Sequence, residues 1–270
     1  MTATDQTPRV PADAAAEWVA RWDAQQEGYI PFREERFAVH ADVVAAALEG
    51  VEAPVVVDLG CGPGSLTARL AERLPGAAFI GVDADPLLLG LAEAHYGDTA
   101  RWVRADLADP SWTEALPPVV HAAVSTTALH WMGREALAAL YRSLAARTAP
   151  GGVFANADHM PLPEARMNAL AAAVGRGRTG RAEAGGRGER EEWGPWWDAA
   201  LADDRLAPLR AEKRPTPQTT EDAPTGAAEH HHGSNLLSAA DHVELLSGAG
   251  YSSAGVVWQA GDDHMVVAVR

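Results

Sequence analysis

The sequence predicts an α/β doubly wound fold, and three observations carry that prediction. Short apolar runs suited to strands buried on both faces recur at 55–59, 78–82, 119–125 and 152–157. Helix-like stretches separate them, and no repeat of fixed period points to a solenoid or propeller. At 270 residues and 47% hydrophobic, the chain suits one large domain, or one domain with an insertion, around a sizeable core.

Taken in order, residues 1–50 read as two helices that cover the site. DAAAEWVARWDAQQ carries Trp18 and Trp22 one turn apart, and REERFAVHADVVAAALEG follows the Tyr29-Ile30-Pro31-Phe32 joint. The core proper, 51–160, opens on the strand VVVDL. Asp85 followed by Pro86 has the form of an N-cap and first-turn proline for LLLGLAEAHY, which stops near Gly97. Ser111 and Glu114 have capping-box spacing. REALAALYRSLAAR is the crossover helix before the fifth strand, GGVFANAD.

Residues 161–237 break the alternation and read as an inserted helical cap. Its glycine and arginine stretch, GRGRTGRAEAGGRGER, is expected to be a mobile loop, because it offers little apolar surface to offset ordering entropy. Trp193, Trp196 and Trp197 suit either the core of a small cap or the wall of a pocket. Regularity returns over 238–270, where Ser238 can cap AADHVELLSGAG. YSSAGVVWQA and HMVVAVR then pair as a hairpin through Gly261, Asp262 and Asp263.

Charge and composition exclude several functions. The net charge of −15 repels phosphate backbones and anionic membranes, and Arg176, Arg178, Arg181, Arg187 and Arg190 have no aromatics interleaved, so no nucleic-acid partner is expected. Cys61 is the only cysteine, which excludes an intramolecular disulfide. No leader and no run of 18 apolar residues is visible, so the expectation is a soluble cytoplasmic chain with no membrane partner. No metal is expected either. The run His230, His231 and His232 cannot converge on one point without an irregular backbone, and these side chains suit the rim of the cap.

The chemistry is carried by VVVDLGCGPGSLTARLAERL, residues 55–74. A buried strand ends at Asp58, glycines follow at 60, 62 and 64, and a helix starts at once. Such a turn lets a ligand approach the backbone and offers helix N–H groups, although it also serves tight strand-to-helix packing. The spacing is G-x-G-x-G with Ser65 at the sixth place, not the G-x-G-x-x-G of nicotinamide-binding turns. The second strand ends in Asp83, about twenty residues on, where an acid can bind both ribose hydroxyls. The third ends in Asp106, able to accept from an exocyclic adenine amine. Asp83 can equally be a turn residue and Asp106 a solvated loop acid. Together the three acids favour an adenosine ligand.

These residues, with FIGVDADP, VRADL, VSTTALHW and the closing hairpin, resemble the class I S-adenosylmethionine-dependent methyltransferases of small-molecule type. The resemblance implies a Rossmann-like, doubly wound seven-stranded sheet with its last strand antiparallel, and S-adenosylmethionine as cofactor with S-adenosylhomocysteine as product. Carried over by motif, Asp58, Gly60, Cys61, Gly62 and Gly64 shape the methionine pocket, and Asp83 with Ala84 holds the ribose. Ala105, Asp106 and Leu107 flank adenine, and Ser125 sits near the sulfonium. Cys61 reads as a small residue lending backbone rather than a nucleophile. Where many relatives have an acid near the start of the fourth strand, this chain has His121, at the end away from the cofactor.

Methyl transfer from a sulfonium needs alignment above all, since orientation supplies about 7–11 kcal/mol. A carboxylate or thiolate acceptor can do without a base, whereas a hydroxyl, amine or carbon acceptor calls for one. The candidates are His130 after the fourth strand, His159 after the fifth, and Tyr29 at the helical joint; each histidine has a packing or solvated-loop alternative. Arg33 and Arg36 can clamp a substrate anion or the methionine carboxylate, or lie on an exposed helix face. The expected partner is a small-molecule substrate. Two other functions share the cofactor: a reaction of another class, such as cyclisation or conversion of the cofactor itself, and non-catalytic ligand binding. The oligomeric state is left open by the sequence.

Overall fold

The computed structural model describes residues 10–30, 32–184, 191–210 and 235–270. Two helices come first, α1 (Ala12–Tyr29) and α2 (Arg33–Ala47), followed by the alternation β1 (Val55–Leu59), α3 (Ser65–Arg73), β2 (Ala78–Asp83), α4 (Pro86–Tyr96), β3 (Arg101–Arg104), β4 (Val120–Thr126), α5 (Arg134–Ala145) and β5 (Thr148–His159). Beyond it lie α6 (Ala165–Ala184), α7 (Trp193–Ala202), the short α8 (Ala207–Arg210), α9 (Ala239–Gly248), β6 (Ser253–Ala260) and β7 (Asp263–Val269).

The seven strands form one sheet in the order β3-β2-β1-β4-β5-β7-β6. β1 to β5 are mutually parallel where they pair, and β7 runs antiparallel between β5 and β6. The seven-stranded Rossmann-like sheet with its closing antiparallel strand is therefore present. Strand order reverses between β1 and β4, and an open α/β sheet binds its ligand in the crevice at the carboxyl ends of such strands.

Both faces of the sheet are covered, as the continuous apolar runs require. Leu137, Leu140, Tyr141 and Leu144 of α5 join Leu246 of α9 on one face; Phe37 and Val44 of α2 join Leu66 and Leu70 of α3 on the other. A third cluster, Trp18, Trp22, Leu87, Leu91 and Trp196, fastens α1 to α4 and α7. Each fully buried leucine there is worth about 1.5–3 kcal/mol over an exposed one. This apolar cluster holds α1 beside the carboxyl end of the sheet.

Local signals hold in part. The Asp85 carboxylate accepts from the N–H groups of Leu87 and Leu88 with Pro86 behind it, and Ser238 forms a reciprocal capping box with Asp241. His121 accepts from the Val55 N–H through Nδ1, at the end of the sheet remote from the glycine turn. The Ser111 and Glu114 box does not form. Asp109, followed by Pro110, caps a short 3-10 turn instead, with Ser111 as the donor to its carboxylate.

The larger correction concerns the glycine and arginine stretch. Residues 175–184, expected in a mobile loop, continue α6. A Cβ on Gly175 would lie 2.8 Å from Asp262 Oδ1, and one on Gly261 would lie 2.9 Å from the Ala171 carbonyl. These glycines let the helix approach the β6–β7 turn, and Arg178 stacks on Phe32 and Trp258. Residues 187 and 190, and the run His230 to His232, lie outside the described residues.

Candidate active site

The glycine turn between β1 and α3 has the backbone that only glycine adopts freely. Gly60, Gly62 and Gly64 all have positive φ, at 70°, 54° and 86°. Space is short as well: a Cβ on Gly60 would lie 2.4 Å from that of Ala128, and one on Gly64 would lie 2.7 Å from the Trp102 ring. Trp102 lies in the trough left by Gly64 and Gly81 and donates to the Gly97 carbonyl. The sequence reading missed this indole.

The three strand-end acids behave differently. Asp58 is buried; its Oδ2 accepts from Thr67 Oγ1 at 2.6 Å, while Oδ1 has no protein partner. Burial, countered in part by Thr67 and reinforced by Asp83, pushes its pKa up to about 7. Asp83 accepts from the Gly62 N–H at 2.7 Å and the Asp85 N–H at 2.8 Å, so it ties the end of β2 to the glycine turn. Burial raises it to about 6 against those two bonds. Each of its oxygens keeps a lone pair for a ribose hydroxyl. Asp106 is exposed and accepts from the Ala108 N–H, as a loop acid does. Ala105 is joined to Asp83 through a backbone bond, and Leu107 is half-buried beside it.

Two further motif residues are structural. The Ser125 hydroxyl is buried and donates to the Leu59 carbonyl at 2.8 Å, so it braces β4 against β1 and does not present itself at a pocket. Cys61 is buried, and burial, with Asp83 and Asp58, pushes its thiol well above the ordinary range; it stays a thiol.

Among the candidate catalytic groups, His130 is the one held by an acid inside the core. Its Nδ1 lies 2.9 Å from Oδ1 and 3.0 Å from Oδ2 of Asp158, at the end of β5. Asp158 also accepts from the His159 N–H. Burial opposes its charge, but His130, His159 and Arg36 outweigh that and hold the carboxyl below its usual range. Facing an acceptor-only carboxylate, Nδ1 carries a proton, and the neutral form of the ring with that tautomer has Nε2 as an acceptor. Asp158 was not singled out in the sequence, because an acid within an apolar strand gives no sign of which loop it will face.

His159 and Tyr29 meet, but as scaffold: His159 Nε2 donates to the Tyr29 carbonyl at 3.1 Å. The Tyr29 hydroxyl donates to Glu192 and accepts from the Trp193 N–H at the start of α7. Arg33 and Arg36 are buried, so the exposed-face alternative does not hold. Arg36 forms a bidentate pair with Asp263 and donates to Thr126, pinning α2 to the ends of β7 and β4. Trp196 of α7 packs on Trp18 and Trp22 of α1 in the apolar core between these helices, Trp197 lies half-buried beside it, and the exposed Trp193 touches Trp22.

α1 lies against the glycine turn and the start of α3. Trp22 reaches within 3.9 Å of where a Gly62 side chain would begin, and Asp23 lies against Ser65 at the start of α3. Ala84 and Asp106, at the ends of β2 and β3, are exposed.

Residues 56–152, which span the glycine turn and the strand-end acids, match the family model of a methyltransferase domain. Residues 56–152 are a methyltransferase domain, as the resemblance to the class I S-adenosylmethionine-dependent enzymes implies. Trans-aconitate 2-methyltransferase of Delftia acidovorans is 37% identical to this chain over 145 residues, 52% of this chain and 49% of that protein. The enzyme of the same name from Streptomyces avermitilis is 37% identical over 118 residues, 42% of each. The chain thus spans about half the length of the curated relatives it matches. The methyltransferase fold also appears in human N-acetylserotonin methyltransferase in complex with S-adenosylmethionine (TM-score 0.51, 16% identity, 97% of this chain and 60% of that one). The CurJ carbon methyltransferase shares it as well (TM-score 0.53, 14% identity, 86% and 53%).

S-adenosylmethionine is the cofactor of such a domain, and the residues present fit it. Three positive-φ glycines turn the backbone at the strand end, Asp83 retains acceptor capacity, and Asp58 has an unpartnered buried oxygen there. Among the described residues no group of three His, Cys, Asp or Glu is placed to hold a metal ion, and no helix is long and apolar enough to cross a membrane.

Proposed function

We propose that this chain is a methyltransferase that transfers the methyl group of S-adenosylmethionine to a small organic acceptor. The observation that carries the reading is the meeting of Asp83 with the glycine turn at the strand-order switch, an acid hydrogen-bonded to the backbone of that turn. Asp58, Gly60, Cys61, Gly62 and Gly64 hold the methionine part, Asp83 and Ala84 the ribose, and Ala105, Asp106 and Leu107 the adenine. Ser125 supports this edge from within.

The cofactor supplies a methyl group already activated by the positive sulfur. The chain's share is to align, to exclude water and to move a proton. α1 roofs the glycine turn, and its Trp22 excludes water above Gly62. His130, with Nδ1 committed to Asp158, offers Nε2 to take a proton from the acceptor. A carboxylate acceptor has no proton to give. The relatives named above are trans-aconitate methyltransferases, while the held imidazole favours a hydroxyl or amine acceptor here. Arg36 is held in a buried pair with Asp263 of the chain itself, which leaves a polycarboxylate one guanidinium fewer to bind.

The test is methyl transfer from methyl-labelled S-adenosylmethionine into pools of hydroxyl, amine and carboxylate compounds. Label in an acceptor product supports the reading. Cofactor binding without transfer to any pool counts against it.

A further inference from the structure

Asp23 is an acid of α1 whose side chain is directed at the start of α3. Its Oδ1 accepts from the Ser65 hydroxyl at 2.5 Å and from Arg33 at 2.7 Å, and its Oδ2 accepts from Arg69 at 3.0 Å. The donors come from two different helices. Arg33 stands on α2 and is 5% exposed, whereas Ser65 and Arg69 stand on α3 one turn apart, and Arg69 is shared with Glu34. Tyr96 of α4 is close enough to feel both Asp23 and Arg69. Burial disfavours the Asp23 charge, but Arg33, Arg69 and Ser65 outweigh it and hold the carboxyl below its ordinary range.

This arrangement has the form of a ligand site. Two guanidinium groups and a hydroxyl converge on one carboxylate, immediately after a turn with three positive-φ glycines. Arg33 is too buried to stand unpaired, and its Nε already lacks a partner, so whatever releases Asp23 must bring a carboxylate of its own. Trp22 and Asp23 together present to the turn an apolar group followed by a carboxylate. The amino-acid end of an adenosyl ligand has the same order of chemistry. On the expected nucleoside side, Ala84 and Asp106 are exposed.

We propose that Arg33, Arg69 and Ser65 form a carboxylate site that Asp23 occupies, and that the α-carboxylate of the adenosyl amino acid competes with Asp23 for it. The inference rests on the cofactor reading given above and adds a regulation of that site. Asp23 acts as an internal competitor, so the affinity for the ligand is lowered by the fraction of chains in which the aspartate is docked. Its side chain is already 21% exposed, which gives it a path into solvent.

The test is calorimetric titration of the full chain with two probes, S-adenosylhomocysteine and 5′-methylthioadenosine, which keeps the nucleoside thioether but has no carboxylate. Asp23→Ala is expected to tighten S-adenosylhomocysteine about tenfold and to leave methylthioadenosine unchanged. Asp23→Asn, which keeps the shape without the charge, is expected to act in the same direction and serves if the alanine variant does not fold. Equal changes for both probes, or weaker binding of S-adenosylhomocysteine, overturn the exchange while leaving the cofactor reading intact. Failure of both probes to bind either form overturns the cofactor reading and the exchange with it.

Discussion

Nδ1 of His130 lies 2.9 Å from Oδ1 of Asp158, so the loop after β4 and the end of β5 share one proton-bearing contact. The carboxylate fixes the ring and favours the tautomer with a bare Nε2. If that nitrogen takes the acceptor's proton, Asp158→Asn and His130→Gln should lower kcat for a hydroxyl or amine acceptor by about 10²- to 10⁴-fold. S-adenosylhomocysteine affinity should be unchanged. Across phenols of graded acidity the loss should shrink as the phenol ionises by itself. A loss independent of acceptor acidity would assign the pair a structural role.

Asp58 makes stability depend on pH. Its folded pKa, about 7, lies above the ordinary 3.8, so the folded chain binds more protons than the unfolded chain between those values. The stability that depends on its protonation is complete below pH 3.8 and is lost as pH rises through about 7. Asp83, raised to about 6, acts in the same sense. Asp58→Asn keeps an acceptor for Thr67 and removes the buried charge. Thermal melts should therefore show the variant gaining on the parent chain from pH 5 to pH 8; a gap constant with pH would refute the assignment.

The buried pair of Arg36 and Asp263 predicts a strongly non-additive pair of substitutions. Arg36→Leu leaves Asp263 uncompensated beneath α2 and should cost about 3–5 kcal/mol in urea unfolding. Adding Asp263→Asn should recover a large part of that loss. Additive losses would mean that the two side chains stabilise the fold independently.

Much of the fold was legible because strands buried on both faces leave continuous apolar runs, and because Asp85, Pro86 and Ser238 signal through local backbone chemistry alone. The glycine turn and Asp83 were legible for the same reason: the ligand-facing backbone and its acid lie close to one another in the βαβ unit. Asp23 and Asp158 were not, since each gains its role from a partner on another element, 42 residues away for Ser65 and 28 for His130. Gly175 misled in the other direction. Glycine in a polar run has the composition of a loop, but here it makes room for Asp262.

The most direct test of the account is calorimetric titration of the chain and of Asp83→Ala with S-adenosylhomocysteine, with a nicotinamide dinucleotide as the comparison ligand. The account predicts saturable binding of S-adenosylhomocysteine, weakened about 10-fold or more by the substitution as a charge-accepted pair of hydroxyl bonds is lost, and no binding of the dinucleotide. Unchanged affinity in Asp83→Ala, or binding of the dinucleotide in place of S-adenosylhomocysteine, would contradict it.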